Sequence, residues 1–420
     1  MAFRIPRRFL ILPTLVLVVV AAGLGWYCHT GLERGRQLLQ REQWSAAREE
    51  LNRFLWLHPS DPEALLALAE SYVRDDAESP RGNALAAVEI LQRINDQSPR
   101  AVRARIQTAR LRLLILWQPC EAERELQRAL ELDPRSFEAN LLMWKLLDLT
   151  RRYHLAEPYF IHAFAAATPE RRPQLLIDWY LSQFSTFSAA TELDQMMGFS
   201  RMDQPSDPLV EFRRLQSFES SEPGQCFNEA MLAGWCDEYH LEEEKQKWFD
   251  KAWEHADSAT PEFAFAVLFD ILMDDGRFEE VRQINDVWPE PHGSYDYWSR
   301  QGIFFSEVET NPDHAIEACR KAMTEWPGPV DWRLQHRLAG LLTRTGQTQE
   351  ADRVREEAHR LETLMKVDFH AELRASLTGE RGAAGYRQLA EFYRSIQRPH
   401  EAEAWGRMAA SLETPNAPLE

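Results

Sequence analysis

The sequence predicts an all-α protein built from stacked helical hairpins, and three observations carry that prediction. The first is composition. Ala, Leu, Glu and Arg dominate, only 18 glycines occur in 420 residues, and the long Val/Ile/Thr alternations of a sheet are missing after residue 30. These four residue types are strong helix formers. The second is a recurring spacing: a small residue, a bulky one four later, a small or apolar one three after that, and proline five further on. Ala47, Leu51, Phe54 and Pro59 show it, as do Ala87, Leu91, Ile94 and Pro99, and Ala122, Leu126, Ala129 and Pro134. The third is the step between the leading alanines from Ala47 to Ala156, which runs 40, 35 and 34 residues.

Taken in chain order, the first element is a membrane segment. Residues 1–8 form a short tail carrying Arg4, Arg7 and Arg8, expected to be cytoplasmic. Phe9 to Tyr27 then holds no charged residue. Nineteen residues at helical rise reach about 28 Å, enough to cross a hydrocarbon core. Trp26 and Tyr27 stand where an interfacial aromatic belt belongs. Residues 9–28 are therefore read as a transmembrane signal anchor, with a cleaved signal peptide ending near Ala21, Ala22 and Gly23 as the alternative. The basic tail favours its own retention inside, which places the rest of the chain across the membrane. The expected location is a bacterial inner membrane with the helical part periplasmic. Arginine outnumbers lysine 42 to 6, which reads as the mark of a GC-rich genome.

Residues 29–169 form the first repeat block. Each unit reads as two antiparallel helices whose small residues let the backbones approach, while the bulky residues fill the gap to the next unit. The proline stops the second helix. In "HPSDPEALLALAESY", residues 58–72, one unit ends and the next begins. About six extra residues between Tyr72 and Ala87 read as a protruding loop. Residues 170–294 form an irregular joint that fits the spacing poorly, although Leu268, Leu272, Gly276 and Val281 keep the frame. Residues 295–412 form a second block, through Ala315, Cys319, Ala322 and Pro327, then Ala351 and Ala358, then Ala402 and Ala409. The step from Ala351 to Ala402 is 51 residues, read as an overlong second helix. Residues 413–420 form a flexible tail.

The first helices carry their own signature in Leu68, Ala69 and Tyr72, in Trp298, Gly302 and Phe305, in Leu338, Ala339 and Leu342, and in Leu389, Ala390 and Tyr393. With the second-helix spacing, these positions resemble the tetratricopeptide repeat family over roughly 31–169 and 295–412. The resemblance implies a right-handed solenoid whose inner groove, lined by the first helices, binds extended peptides or peptide ends. Carried over by offset, it presents Arg333, His336, Arg387 and Arg394, a face more basic than the chain average. An acidic peptide or terminal carboxylate is the matching ligand.

Chemistry is otherwise sparse. There is no HExxH, no phosphate-binding glycine loop, no nucleophile elbow and no dinucleotide fingerprint. The twelve histidines look scattered, with no pair at metal-ligand spacing beside carboxylates. No catalytic residue, cofactor, metal or small-molecule substrate is expected. Cys226 and Cys236 are close enough in sequence to pair, or are small buried apolar residues. Asp274, Asp275 and Gly276 read as a turn and the tryptophans as core. A net charge of −18 disfavours nucleic acid as a partner. The function expected is a membrane-tethered, non-catalytic scaffold for protein partners. The alternatives are an accessory enzyme domain hidden in 170–260 and a cleaved, periplasmic or secreted solenoid.

Overall fold

The structure, a computed structural model, describes residues 26, 30–75, 79–184, 197, 208–258, 260–378 and 382–413. All regular structure among them is helical. The basic tail 1–8, the anchor segment 9–28 apart from Trp26, and residues 414–420 of the C-terminal tail lie outside the described residues. Among the described residues no helix is long and apolar enough to cross a membrane.

The chain divides into two compact units, Met1–Pro134 and Arg135–Glu420. In the first, α1 (Gly31–Gln40) pairs with α2 (Trp44–Leu57), α3 (Pro62–Val73) with α4 (Pro80–Gln92), and α5 (Ala101–Leu111) with α6 (Pro119–Leu132). Successive pairs meet through α2 on α3 and α4 on α5. The second unit opens with α7 (Phe137–Leu149) against α8 (Glu157–Ala166), followed by α9 (Arg172–Phe184) and α10 (Pro208–Ser221). Four hairpins follow: α11 (Cys226–Glu238) with α12 (Glu242–His255), α13 (Glu262–Asp274) with α14 (Phe278–Asp286), α15 (Tyr295–Ile303) with α16 (Pro312–Ala322), and α17 (Trp332–Arg344) with α18 (Thr348–Leu364). A single helix α19 (Val367–Thr378) precedes the last pair, α20 (Gly382–Ser395) and α21 (Pro399–Glu413).

The spacing read from sequence is the packing code of these pairs. Ala47, Ala87, Ala122, Ala156, Ala315, Ala351 and Ala402, which lead the second helices, are all buried. Their partners Leu51, Leu91, Leu126, Phe160 and Cys319 are buried as well. Small residues matter because the backbones nearly touch. A methyl carbon on Gly35 would stand 2.6 Å from Leu51 Cγ, and one on Gly302 would stand 2.8 Å from Cys319 Sγ.

The turns repeat too. A residue in the left-handed conformation stands five before every leading residue except Ala87: Glu42, Trp117, Arg151, His240, Gly276, Thr310, Gly346 and Gln397. The next amide then returns to the end of the first helix, as in Gln43 to the Leu38 carbonyl at 3.0 Å, Leu241 to Cys236 at 2.8 Å and Gln347 to Leu342 at 2.9 Å. This closure satisfies carbonyls that a helix end leaves open. Two hairpins carry one extra residue and absorb it as π-turns, Arg112–Leu116 and Phe304–Val308.

The structure corrects three expectations. The stretch around 226–255 is not irregular: Leu232, Ala233, Cys236 and His240 occupy the offsets of Leu338, Ala339, Leu342 and Gly346. The spacing was missed because its leading residue is Lys245 rather than alanine. That side chain is buried, and its ammonium meets Glu242 at 2.6 Å, Asp275 at 2.8 Å and Asp237 at 3.3 Å. Lys245→Ala restores the usual small residue yet is expected to cost about 1–3 kcal/mol, since it leaves three carboxylates facing one another, partly hydrated. Urea unfolding measures this, and a cost below about 0.5 kcal/mol would show that the carboxylates rehydrate freely.

The second correction is the overlong helix, which is two helices, α18 and α19, separated at Met365 and Lys366. The third is the loop after Tyr72. Most of the extra residues wind into the start of α4, where Pro80 takes a first-turn position and the buried Asn83 amide donates to the Asp75 carbonyl at 2.8 Å. Residues 76–78 lie outside the described residues. Cys226 and Cys236 are free, buried and on the same helix, where ten residues separate them by about 15 Å of rise. Burial pushes their thiols up to about 12 and about 11, so neither is a ready nucleophile.

The second unit is not an open solenoid. Its early helix α9 packs on α19 and α21 near its end. Trp144, Phe160 and Trp179 form an aromatic knot under α9, with Phe160 stacked on Trp179 at 4.5 Å. Tyr180 meets His370, Phe184 stacks on the His370 ring at 4.8 Å, and Arg374 donates to the Phe184 carbonyl at 3.0 Å. Glu157 of α8 pairs with Arg398 at the start of α21, and the Arg398 guanidinium also lies 3.8 Å from the centre of the Trp326 ring.

Candidate functional site

This closure forms the walls of an open cavity of about 930 Å³ within the second unit. Its wall comes from distant parts of the unit: Tyr153 before α8, Phe184 of α9, Asp270 of α13, Tyr295 and Arg300 of α15, Trp326 to Arg333 leading into α17, and Glu362, Lys366, His370 and Arg374 from α18 and α19.

One side of the wall is a charge network closed on itself. Arg300 binds Asp270 at 2.6 Å and Asp296 at 3.1 Å, and the other Asp296 oxygen meets His154 Nε2 at 2.8 Å. Burial works against the charge on Asp296, but the bond from His154 and the charges of His154 and Arg300 outweigh it, and the carboxyl lies below its usual range. Burial likewise opposes the charge on Arg300, and Asp270 and Asp296 outweigh it. Asp331 is also engaged. It accepts the Tyr295 hydroxyl at 2.5 Å and caps α17 through the amides of Arg333 at 2.9 Å and Leu334 at 3.2 Å. Burial, with Asp331 beside it, pushes the Tyr295 hydroxyl well above its ordinary value, so that it stays protonated.

The other side holds donors without partners. Among the described residues, Trp326 Nε1 and His370 Nε2 are buried and have no well-formed hydrogen bond. Burial, then the charge of Arg374, lowers the His370 pKa to about 4, so its ring is neutral near pH 7. With Tyr180 next to Nδ1 at 3.1 Å, the tautomer in which that hydroxyl donates leaves Nε2–H as a donor. Arg333 lies over the Trp332 ring at 4.5 Å, and Lys366 is exposed and makes no ion pair among the described residues. The aspartates of this wall are thus engaged and Glu362 faces His336 and His359, whereas several donors and cations have no partner among the described residues.

The four groove residues expected from sequence are not brought into one lining. Arg333 lines the cavity. His336 lines a neighbouring groove with Glu307, Arg337 and Arg355. Arg387 is held by Glu413, and Arg394 is exposed on α20. A separate pocket beside α20 is lined by Gln388, Glu391 and Phe392 instead. The intervening helix α19 separates the two pairs. Trp326, Lys366 and His370 were missed because nothing in their spacing marks them, and closure of the unit alone brings them together.

The reading of scattered histidines fails at one place. His336 of α17 comes together with His359 and Glu362 of α18, their ligand atoms all within 4.8 Å of one another. The sequence signal was His359 and Glu362 three apart on one helix face.

In the 170–260 stretch, α11 and α12 form a plain hairpin. Among the described residues of that stretch the cavity takes only Gln183 and Phe184, and the charged groups described in its wall come from elsewhere.

No known family profile matches this chain, and no curated protein sequence matches it. Three solved structures are similar at low identity. The Cut9–Hcn1 hetero-tetramer of APC/C matches with a TM-score of 0.39 and 12% identity, covering 94% of this chain and 93% of that one. The TPR domain of P58(IPK) matches at 0.26 and 15% identity, covering 90% and 99%. A human IFIT1 dimer with PPP-AAAA matches at 0.32 and 13% identity, covering 90% and 82%. Likenesses of this degree carry no weight for function, and the repeat architecture rests on the hairpin geometry above.

Proposed function

We propose that this chain is a tetratricopeptide-like scaffold, tethered to a bacterial inner membrane by residues 9–28, whose second unit captures an acidic peptide segment or a terminal carboxylate in its cavity. The carrying observation is the asymmetry of the wall. Asp270 and Asp331 are held by Arg300 and Tyr295, while Trp326 Nε1, His370 Nε2 and Lys366 are left to a ligand. Buried donors without acceptors are costly, so an incoming carboxylate gains by satisfying them. The apolar, arginine-flanked run at the N-terminus supports the tether and the periplasmic side, and tethering raises the effective concentration for partners at that membrane.

The test is fluorescence anisotropy of labelled short peptides ending in Asp or Glu, against the full chain in detergent. Arg333→Glu with Lys366→Glu is expected to weaken binding tenfold or more, and amidating the peptide terminus to weaken it similarly. Equal affinity for the double variant and the wild type would place the ligand elsewhere. No binding of any acidic peptide would remove the proposal.

A further inference from the structure

The structure assigns a divalent metal site, best suited to Zn²⁺, to His336, His359 and Glu362 on the α17–α18 hairpin. The hairpin builds it locally. Ala339 and Ala358 are buried between the two helices and let them approach closely. His336, near the start of α17, then lies opposite the end of the antiparallel α18, where His359 and Glu362 share one face a turn apart.

The distances are those of ligands around an ion rather than of hydrogen-bonded partners. His336 Nε2 lies 3.7 Å and His359 Nδ1 3.5 Å from the same oxygen, Glu362 Oε2. None of the three side chains makes a hydrogen bond among the described residues, and the two rings sit at 4.9 Å and 70°, edge to face rather than stacked. Two ligand atoms on a tetrahedral zinc stand about 3.4 Å apart, given metal–ligand bonds near 2.1 Å. Small side-chain rotations therefore bring all three donors onto one ion without moving either helix. Two imidazoles and a carboxylate suit Zn²⁺, Co²⁺ or Ni²⁺, not the oxygen-seeking Ca²⁺ or Mg²⁺. Three protein ligands leave a fourth position for water. Glu362 also lines the cavity, so the ion stands at its wall. The site is independent of the peptide proposal, since its ligands do not include the cavity's unpartnered donors.

The test is calorimetric titration of ZnCl₂ into the metal-free full chain in detergent, with Co²⁺ absorption as a second readout. The expected result is one strong site per chain and a tetrahedral Co²⁺ spectrum. His359→Ala and Glu362→Gln are expected to weaken Zn²⁺ at least tenfold and abolish the spectrum. His162→Ala, an exposed histidine elsewhere, is expected to change neither. His359 is exposed and Glu362 half-buried, so both variants should keep wild-type helical content by circular dichroism. Absence of a strong site in the wild type, or undiminished binding in both ligand variants, would overturn the assignment.

Discussion

Replacing Arg300 by methionine is expected to lower the stability of the chain by about 3–5 kcal/mol, which is the usual loss when one partner is removed from a buried ion cluster. Asp296 is 3% exposed and Arg300 holds it at 3.1 Å, while Asp270 sits 2.6 Å from the same guanidinium. Methionine fills much of the space but leaves both carboxylates without that charge; Asp270 is half exposed and can turn to water, so the cost falls mainly on the buried Asp296, which keeps His154. The cost therefore comes from the charges left behind rather than from lost packing. Adding Asp270→Asn and Asp296→Asn to Arg300→Met should recover much of the stability, because no unpaired charge remains. Urea unfolding of the single and triple variants separates the two causes. A single-variant cost under about 1 kcal/mol would mean that water screens the cluster.

The second large effect is pH-dependent and runs opposite to the ordinary carboxylate. Asp148, on α7, is buried; Trp144 and Ser182 lie beside its carboxyl, but among the described residues neither oxygen accepts a well-formed hydrogen bond. Burial pushes its carboxyl up to about 8, with Asp178 adding to the rise and Lys145 opposing it. The folded chain prefers this group protonated, so folding takes up a proton between about pH 4 and pH 8. The stability this contributes is present at low pH and is lost as pH rises through that window. Asp148→Asn keeps the shape of the neutral form and cannot ionise. It should match the wild type near pH 4 and exceed it by about 2 kcal/mol or more at pH 8 to 9, given 1.36 kcal/mol per pKa unit. Thermal unfolding at a series of pH values tests this. Parallel curves for the two proteins would mean that Asp148 finds water when charged.

Much of the architecture was legible because the determining forces are local. The leading alanines are small since two helices meet there, and the constraint recurs at each hairpin with the same period. The exception is instructive. Lys245 occupies an alanine position and hid an otherwise regular hairpin, because its charge is neutralised by Asp275 across a turn and by carboxylates on its own hairpin. A scan for small residues cannot see such compensation. The π-turns show the converse, where a one-residue excess is absorbed without shifting the buried faces that carry the pattern.

The site was far less legible. Arg333 and His336 line two neighbouring pockets on α17, and Arg387 and Arg394 were tied to them by assuming one continuous groove. Separating α18 from α19 broke that assumption, and a stop at Met365 and Lys366 has no strong mark in composition.

By itself the sequence determined the helical class, the hairpin period, the small-residue contacts and the acidic surface, since each follows from neighbours within about one repeat. Only the tertiary structure decided that α9 returns to α19 and α21, that Trp326, Lys366 and His370 share one cavity, and that His336 meets His359 and Glu362. Those juxtapositions depend on the accumulated rotation of successive hairpins and on which side chains remain unpaired after packing. Both are sums over many contacts, and no single stretch of residues encodes them.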